Sequence, residues 1–425
     1  MKKLLLSLCL MATLGSFLLN AEEKMSPSTQ NFLRSYESTS TISQRAKLKS
    51  TYAINPNNGE MAVSAFLHLV DENNLDGLEE NQVIINAQYG TILSTSIPAD
   101  NLTSVSQLPS VKYIEIGRPV HQRMNNVRSE QFSNVNKIHE GTGLTQAYTG
   151  KDVIVGIIDG GFQYNHINFY DTEGKNLRIK RVWNQNQSGT PPTGYYYGTE
   201  YTNAEEIIAA KQDYAASHAT HVTGIAAGAY KGNEYYGIAP DADLVFVSYN
   251  VSDNSSSNTS ITDGIKYIYD YAESVGKPCV INMSLGYHIG PHDGTSTFDR
   301  ICDELQGEGR LLVGASGNEA EYNIHATKTL KKGDTNMKSL VEFVSNWYLY
   351  GSMTSTVDIW GDAEKQLSAR VFVYDILNKK EVYSSESFST TTSTSKKISN
   401  PTGADGNIYI STATNPYNKK GNITI

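Results

Sequence analysis

Residues 153–161 read Val153-Ile154-Val155-Gly156-Ile157-Ile158-Asp159-Gly160-Gly161, an apolar run that ends in one acid and two glycines. Three more apolar runs follow at 243–248, 278–283 and 310–314. Continuous apolar runs of this length are typical of parallel strands that are covered on both faces. Helix-like stretches alternate with these runs, at 203–211, 218–229, 260–275 and 296–308. The alternation predicts an α/β fold with a doubly wound, mainly parallel sheet.

Polar residues stand just past three of these predicted strands, at Asp159, Ser284 and Asn318. In such a sheet the carboxyl ends of the strands meet at one edge, and ligands bind there. His218 opens the second predicted helix. Hydrolysis through a hydroxyl nucleophile needs an imidazole base, a carboxylate that orients the base, and donors for the oxyanion. The chain therefore has side chains for three of the four groups that this chemistry requires.

Five segments resemble, in the same order, motifs of the subtilase family of serine peptidases: 153–161, 217–228, 236–240, 280–286 and 317–319. Together they cover roughly residues 145–325. The resemblance implies that Asp159 orients His218, that His218 is the catalytic base, and that Asn318 donates to the oxyanion. It also implies that the chain is a serine endopeptidase with an Asp-His-Ser triad.

The same resemblance implies where a protein or peptide substrate binds. Ser284-Leu285-Gly286 resembles the segment that pairs with an extended peptide as an added strand. Ala315-Ser316-Gly317 resembles one wall of the pocket for the residue before the scissile bond. The formal net charge is -9 and no run of Lys or Arg exceeds a pair, so nucleic acid is not expected as a partner. The family leaves a structural calcium ion open, but no stretch has calcium-loop spacing, so we expect no cofactor.

The nucleophile motif of the family, a Gly-Thr-Ser that opens a helix after the oxyanion Asn, is missing. Gly294-Thr295-Ser296 precedes Asn318, and Ser296 is predicted to cap the next helix instead. Gly351-Ser352-Met353 has the right order but lies between predicted strands. The chain is therefore expected to be a fragment or truncated product that is inactive alone and exposes apolar sheet surface. Two alternatives stay open: a non-catalytic pseudopeptidase that binds peptides, and a metal hydrolase that holds zinc on His218 and His221.

The N-terminus has the pattern of an export signal, assigned to residues 1–21. Two lysines precede the apolar run Leu4–Leu19, which is too short to span a bilayer. We therefore expect a secreted or periplasmic protein. No other segment is long and apolar enough for a membrane span. Residues 22–60 are polar and predicted to be poorly ordered.

Residues 61–118 contain strand patterns at 62–70, 82–86, 91–97 and 111–116 with a short helix from Pro98, which predicts a small α+β domain. Its position resembles a subtilase propeptide, which would be a partner of the site, and we expect the mature N-terminus between about 117 and 130. Residues 119–325 form the predicted, incomplete catalytic domain. Residues 326–425 contain alternating segments that predict an antiparallel β-sandwich insert and the return to the catalytic domain. Cys279 and Cys302 are predicted to be free thiols.

Overall fold

The computed structural model describes residues 23–38, 48, 54–57, 60–117, 121–122, 135–231, 236–249, 257–320, 322–334, 336–341, 355–402 and 406–425, without the side chains of 54–57, 60 and 121–122. The predicted export signal and the Gly351-Ser352-Met353 segment lie outside these residues. Within them, no helix has the length and apolar character that crossing a membrane requires.

The N-terminal part is an antiparallel sheet with helices packed against it. Its elements are α1 (Pro27–Glu37), β1 (Ile54–Asn57), β2 (Glu60–Leu69), β3 (Ile84–Tyr89), β4 (Ile92–Pro98), α2 (Leu102–Gln107) and β5 (Val111–Ile116). The sheet order is β1-β2-β4-β3, and β5 also pairs with β2. Leu67, Leu93 and Ile114 are fully buried in its core. Strands β2 to β5 match the four that the sequence predicted.

Residues 22–60 were expected to be poorly ordered, and helix α1 corrects this expectation for residues 27–37. The hydroxyl of Ser26 caps its first turn by accepting a backbone N–H. Phe32 is fully buried in the N-terminal core, and Asn31 accepts a hydrogen bond from Ser411 of the C-terminal sheet. The composition of this segment is polar, and the contacts that order it come from residues far away in the chain.

The central body is built on a six-stranded sheet with the order β13-β11-β7-β10-β8-β9. All neighbouring strands are parallel except β8 and β9. The predicted mainly parallel sheet is therefore confirmed. Two short strands of this part, β6 and β12, pair with each other outside the six-stranded sheet. The elements of the body are β6 (His121–Gln122), α3 (Val135–Glu140), β7 (Ile154–Asp159), β8 (Ile179–Asn184), β9 (Thr199–Tyr201), α4 (Ala204–Ala210), α5 (Ser217–Ala227), β10 (Asp243–Ser248), α6 (Asn258–Ser274), β11 (Cys279–Met283), β12 (Leu285–Gly286), α7 (Thr297–Leu305) and β13 (Arg310–Gly314).

Helices cover both faces of this sheet, as a doubly wound fold requires. On one face, Ile265 and Ile268 of α6 join the buried cluster of the sheet. On the other face, Ala219 of α5 packs in a cluster with Phe246. At Gly156 of β7 a Cβ would lie 2.7 Å from the side chain of Ile268, so a glycine is needed for this close approach of α6.

The outer strand β13 leaves apolar side chains in solvent. Leu311 is 57% exposed and Val313 is 50% exposed. The expectation of exposed apolar sheet surface is confirmed at this edge.

The described strands of the C-terminal part pair antiparallel, and their arrangement as a β-sandwich insert stays a prediction. A four-stranded sheet has the order β14-β21-β20-β19, and two ribbons pair β15 with β18 and β16 with β17. Phe388, Ile410 and Ile423 form its buried cluster. The strands are β14 (Asp358–Ala363), β15 (Ser368–Ala369), β16 (Phe372–Asp375), β17 (Lys380–Ser384), β18 (Phe388–Ser389), β19 (Thr394–Ser399), β20 (Asn407–Thr414) and β21 (Lys420–Thr424).

Both cysteines of the body are free thiols, as predicted. Cys279 is buried and Cys302 is half-buried. Burial raises the pKa of each thiol to about 12. They are therefore protonated and unreactive at neutral pH.

Candidate active site

Asp159 is the last residue of β7 and is fully buried. One carboxylate oxygen accepts the N–H of Gly160 at 2.6 Å. The backbone oxygen of Asp159 accepts the N–H of Tyr249 at 2.9 Å. These bonds fix the carboxylate at the carboxyl end of a central strand.

His218 is the second residue of α5, and only 3% of it is exposed. Its Nδ1 lies 2.8 Å from both carboxylate oxygens of Asp159. Because an ionised carboxylate only accepts hydrogen bonds, Nδ1 carries the proton and Nε2 carries the basic lone pair. This tautomer is the one that a general base oriented by a carboxylate requires. The structure thus joins two residues that are 59 positions apart.

The predicted substrate segments share the sheet edge with Asp159. Ile158 of β7 pairs with Met283 of β11, and Met283 pairs with Gly314 of β13. Since all three strands are parallel and in register, the residues that follow them leave the sheet side by side. Ser284-Leu285-Gly286 and Ala315-Ser316-Gly317 begin at these two strand ends. Their roles in substrate binding remain predictions.

Asn318 lies four residues beyond the end of β13 and is exposed. Its backbone N–H donates to the carboxylate of Glu319 at 2.8 Å. Glu319 also lies 3.7 Å from the imidazole of His288. Strand β13 is separated from β7 by β11 alone, which is a spacing of about 10 Å in a sheet. The oxyanion role of Asn318 remains a prediction.

The chain itself occupies the predicted substrate edge. Strand β6 pairs antiparallel with β12, with Gln122 opposite Leu285 and His121 opposite Gly286. An extended peptide that adds a strand to a sheet edge makes the same type of pairing. No pattern in the sequence predicted this contact.

Ser296 caps α7, as predicted. It accepts a hydrogen bond from the N–H of Asp299 and donates one to the carboxylate of that residue. The zinc hypothesis gains no support, because His221 is exposed and His218 is bound to Asp159. No group of three or more His, Cys, Asp or Glu in the part of the chain that the structure describes is arranged to hold a metal ion.

Asp213 is a buried carboxylate that was not predicted from the sequence, and it accepts a hydrogen bond from Phe162 in the loop after Asp159. Burial raises its pKa, while hydrogen bonds from Ser248, Tyr164 and the Phe162 backbone act in the opposite direction. A signal existed in the sequence, since an acid precedes His218 by five positions. It was weak, because acids are common in loops before helices.

The family model described as "Subtilase family" matches residues 150–419 of this chain. Curated relatives include Subtilisin from Bacillus sp. (strain TA39), which is 28% identical over 189 residues, or 44% of this chain and 39% of that protein. Subtilisin E from Bacillus subtilis (strain 168) is 24% identical over 240 residues, or 56% of this chain and 52% of that protein. The chain thus spans about half the length, or less, of these two relatives.

Among solved structures, the CspB protease of Clostridium perfringens is similar with a TM-score of 0.44 and 20% sequence identity. The match covers 68% of this chain and 59% of that chain. Sphericase is similar with a TM-score of 0.31 and 23% identity, over 45% of this chain and 55% of its own.

Proposed function

Because this chain belongs to the subtilase family, we propose that it supplies the Asp, the His and the oxyanion Asn of an exported serine endopeptidase. Asp159 orients His218, His218 is the base, and Asn318 donates to the oxyanion. The serine nucleophile comes from a segment outside residues 1–425. The observation that carries the proposal is the buried contact of His218 Nδ1 with both oxygens of Asp159, each at 2.8 Å.

The chemistry follows from the tautomer of His218. Nε2 takes the proton of the serine hydroxyl as that oxygen attacks the scissile carbonyl, and later gives the proton to the leaving amine. Between these two steps His218 is an imidazolium, which the buried carboxylate of Asp159 stabilises. The Asn318 amide donates to the oxyanion of the tetrahedral intermediate. Loss of one such donor lowers turnover by about 10²–10³-fold.

The substrate is an extended peptide that adds a strand along Leu285–Gly286. The antiparallel pairing of β6 with β12 supports this proposal, because it puts a peptide of the chain's own on that edge. Residues 61–118 then act as a propeptide, and β6 is the start of the connection that leaves it. The mature N-terminus then falls between about residues 117 and 130. N-terminal sequencing of the exported, processed protein tests this; a sole start at Glu22 would contradict it.

The propeptide role is also supported by an apolar contact with the body. Phe66 of β2, Tyr89 of β3 and Ile92 of β4 form one buried cluster with Ile301 of α7. A domain that buries its own side chains against a helix of the catalytic body stays docked until that contact is broken.

The exposed Leu311 and Val313 support the proposal that a further segment completes the sheet, because apolar strands of this kind are normally covered. The 425-residue chain is then inactive by itself. Casein or peptide hydrolysis by the purified chain tests this proposal, and measurable hydrolysis would refute it.

A non-catalytic peptide-binding protein is the second candidate. One observation favours it: the pairing of β6 with β12 needs no nucleophile. The coding sequence downstream of Ile425 separates the two proposals. An in-frame Gly-Thr-Ser followed by small residues and Pro indicates a peptidase, and its absence indicates the binding protein.

A further inference from the structure

Asp213 lies between α4 and α5, five residues before His218, and is only 7% exposed. The mechanism proposed above gives it no role. It is bound twice to the loop that follows Asp159. Its backbone N–H donates to the Phe162 oxygen at 2.9 Å, and one carboxylate oxygen, Oδ2, accepts the Phe162 N–H at 3.0 Å.

The same carboxylate binds the ends of two neighbouring strands. Asn184 at the end of β8 donates to Oδ1 at 2.6 Å, and Ser248 at the end of β10 donates to Oδ2. Both residues belong to the row of the sheet that contains Asp159, because Ser248 pairs with Asp159 on one side and with Asn184 on the other. The hydroxyl of Tyr164 donates to Oδ1 at 2.6 Å.

A second contact joins the same loop to the helix of His218. The N–H of Gln163 donates to the Thr220 hydroxyl at 2.8 Å, and Thr220 lies two residues after His218 on α5. The loop also passes very close to Asp213, since a Cβ at Gly161 would lie 2.8 Å from the Asp213 Cβ. The loop after Asp159 is thus held against the segment that leads into α5.

We propose that Asp213 is a positioning residue for the Asp159–His218 pair. It joins three elements whose relative placement sets that contact: the loop after Asp159, the row of strand ends beside Asp159, and the approach to α5. A role of Asp213 in catalysis rests on the function proposed above. The effect of Asp213 on the geometry of the Asp159–His218 pair does not depend on that function.

The four donors explain why the side chain at position 213 must be a carboxylic acid and not an amide. A carboxylate offers about four acceptor sites and no donor. Each oxygen faces one group that can only donate, the Phe162 N–H at Oδ2 and the Asn184 Nδ2 at Oδ1. In Asp213→Asn the amide NH₂ therefore opposes an N–H donor in either orientation. One of these two bonds is lost whichever way the new side chain is turned.

The test observes the His218 Nδ1 proton by NMR in ¹⁵N-histidine-labelled chain, so it needs no nucleophile. In wild type we expect a low-field Nδ1–H resonance that persists at pH 7, because the proton is held by Asp159. In folded Asp213→Asn we expect this resonance to be lost or moved upfield. Amide exchange of Phe162 should become at least about tenfold faster, which corresponds to the loss of one hydrogen bond.

Tyr164→Phe is the second variant, and it tests the position of Asp213 without changing the Asp213 side chain. It removes one hydrogen-bond donor to Asp213 and keeps the aromatic ring at position 164. We expect the same upfield change of the His218 proton, with smaller size. The matched control is Asp171→Asn, since Asp171 also accepts several loop N–H groups but lies at the surface. We expect it to leave the His218 resonance unchanged.

An unchanged His218 resonance in folded Asp213→Asn would overturn the proposal. If that variant does not fold, an unchanged resonance in Tyr164→Phe would overturn it equally. A change of the same size in Asp171→Asn would also contradict it, because the effect would then be general. Failure of the proposed peptidase function would show in hydrolysis assays and would leave these spectra as they are.

Discussion

Replacing Asp263 by Asn should make the protein more stable at neutral pH. Asp263 lies on α6, is fully buried, and accepts hydrogen bonds from Tyr89 at 3.0 Å and Tyr197 at 2.8 Å. Tyr89 belongs to the N-terminal sheet and Tyr197 to the body, so the carboxyl group lies where the two parts meet. Burial raises the pKa of Asp263 from 3.8 to about 6, while hydrogen bonds from Tyr197, Ser94 and Tyr89 act in the opposite direction.

The raised pKa of Asp263 determines how its contribution to stability changes with pH, and by how much. Because the pKa is raised in the folded state, the protonated acid stabilises the fold fully below 3.8, and this stability is lost as pH rises through 6. A difference of about two pKa units corresponds to about 3 kcal/mol, of which about 2 kcal/mol falls between pH 4 and pH 7. In Asp263→Asn the new side chain keeps both hydrogen bonds, because the hydroxyls of Tyr89 and Tyr197 can accept as well as donate. Asp213 has no such freedom, because two of its partners are N–H donors.

The assay is urea unfolding of wild type and Asp263→Asn at pH 4 and pH 7. We expect the stability of the variant relative to wild type to rise by about 2 kcal/mol between these two values. Asp270→Asn on the same helix is the control, since Asp270 is exposed and paired with Lys266; its relative stability should change by less than about 0.5 kcal/mol. A constant difference between wild type and Asp263→Asn would refute the reasoning.

Three further predictions concern buried groups. Burial and the nearby cations lower the pKa of His68 from 6.5 to about 3. The neutral imidazole therefore contributes stability that is present above pH 6.5 and is lost as pH falls. In urea unfolding at pH 4 and pH 7, the unfolding free energy of His68→Phe should fall less at the lower pH than that of wild type. Arg178 donates to four backbone carbonyls, three of them at 2.8–2.9 Å, and Arg178→Lys should lower the unfolding free energy by about 3 kcal/mol because most of these oxygens lose their donor. Phe66→Ala should lower the unfolding free energy by about 3–5 kcal/mol. Because the lost side chain joins the N-terminal sheet to Ile301 of α7, amide exchange should speed up more in β2 and β4 than in β7. Equal amide protection in wild type and variant would contradict this.

The sequence predicted those parts of the fold whose signal is local. Strand β7, for example, was predicted from its continuous apolar run, and Asp159 lies at its carboxyl end as the sequence indicated. Strand β8 was missed, because Lys180 and Arg181 interrupt its apolar pattern. The chain places those two residues on a strand that lies between β10 and the edge strand β9.

In the site, too, the features with a local sequence motif were predicted and those that depend on tertiary placement were not. The order of the motifs led us to expect that Asp159 orients His218, and Nδ1 of His218 lies 2.8 Å from both carboxylate oxygens of Asp159. The catalytic roles of the two residues stay predictions. The links through Asp213 were not predicted, because they depend on Asn184 and Ser248 reaching one point from different strands. Pairing of β6 with β12 also depends on tertiary placement, since neither two-residue strand has a pattern of its own.

The most direct test of the central claim is casein hydrolysis by this chain and by the chain continued in the same reading frame, each as wild type and as His218→Ala. We predict no hydrolysis by the 425-residue chain, and hydrolysis by the continued chain that falls at least about 10⁴-fold in His218→Ala. Hydrolysis by the continued chain that is unchanged in His218→Ala would contradict the assignment of His218 as the base.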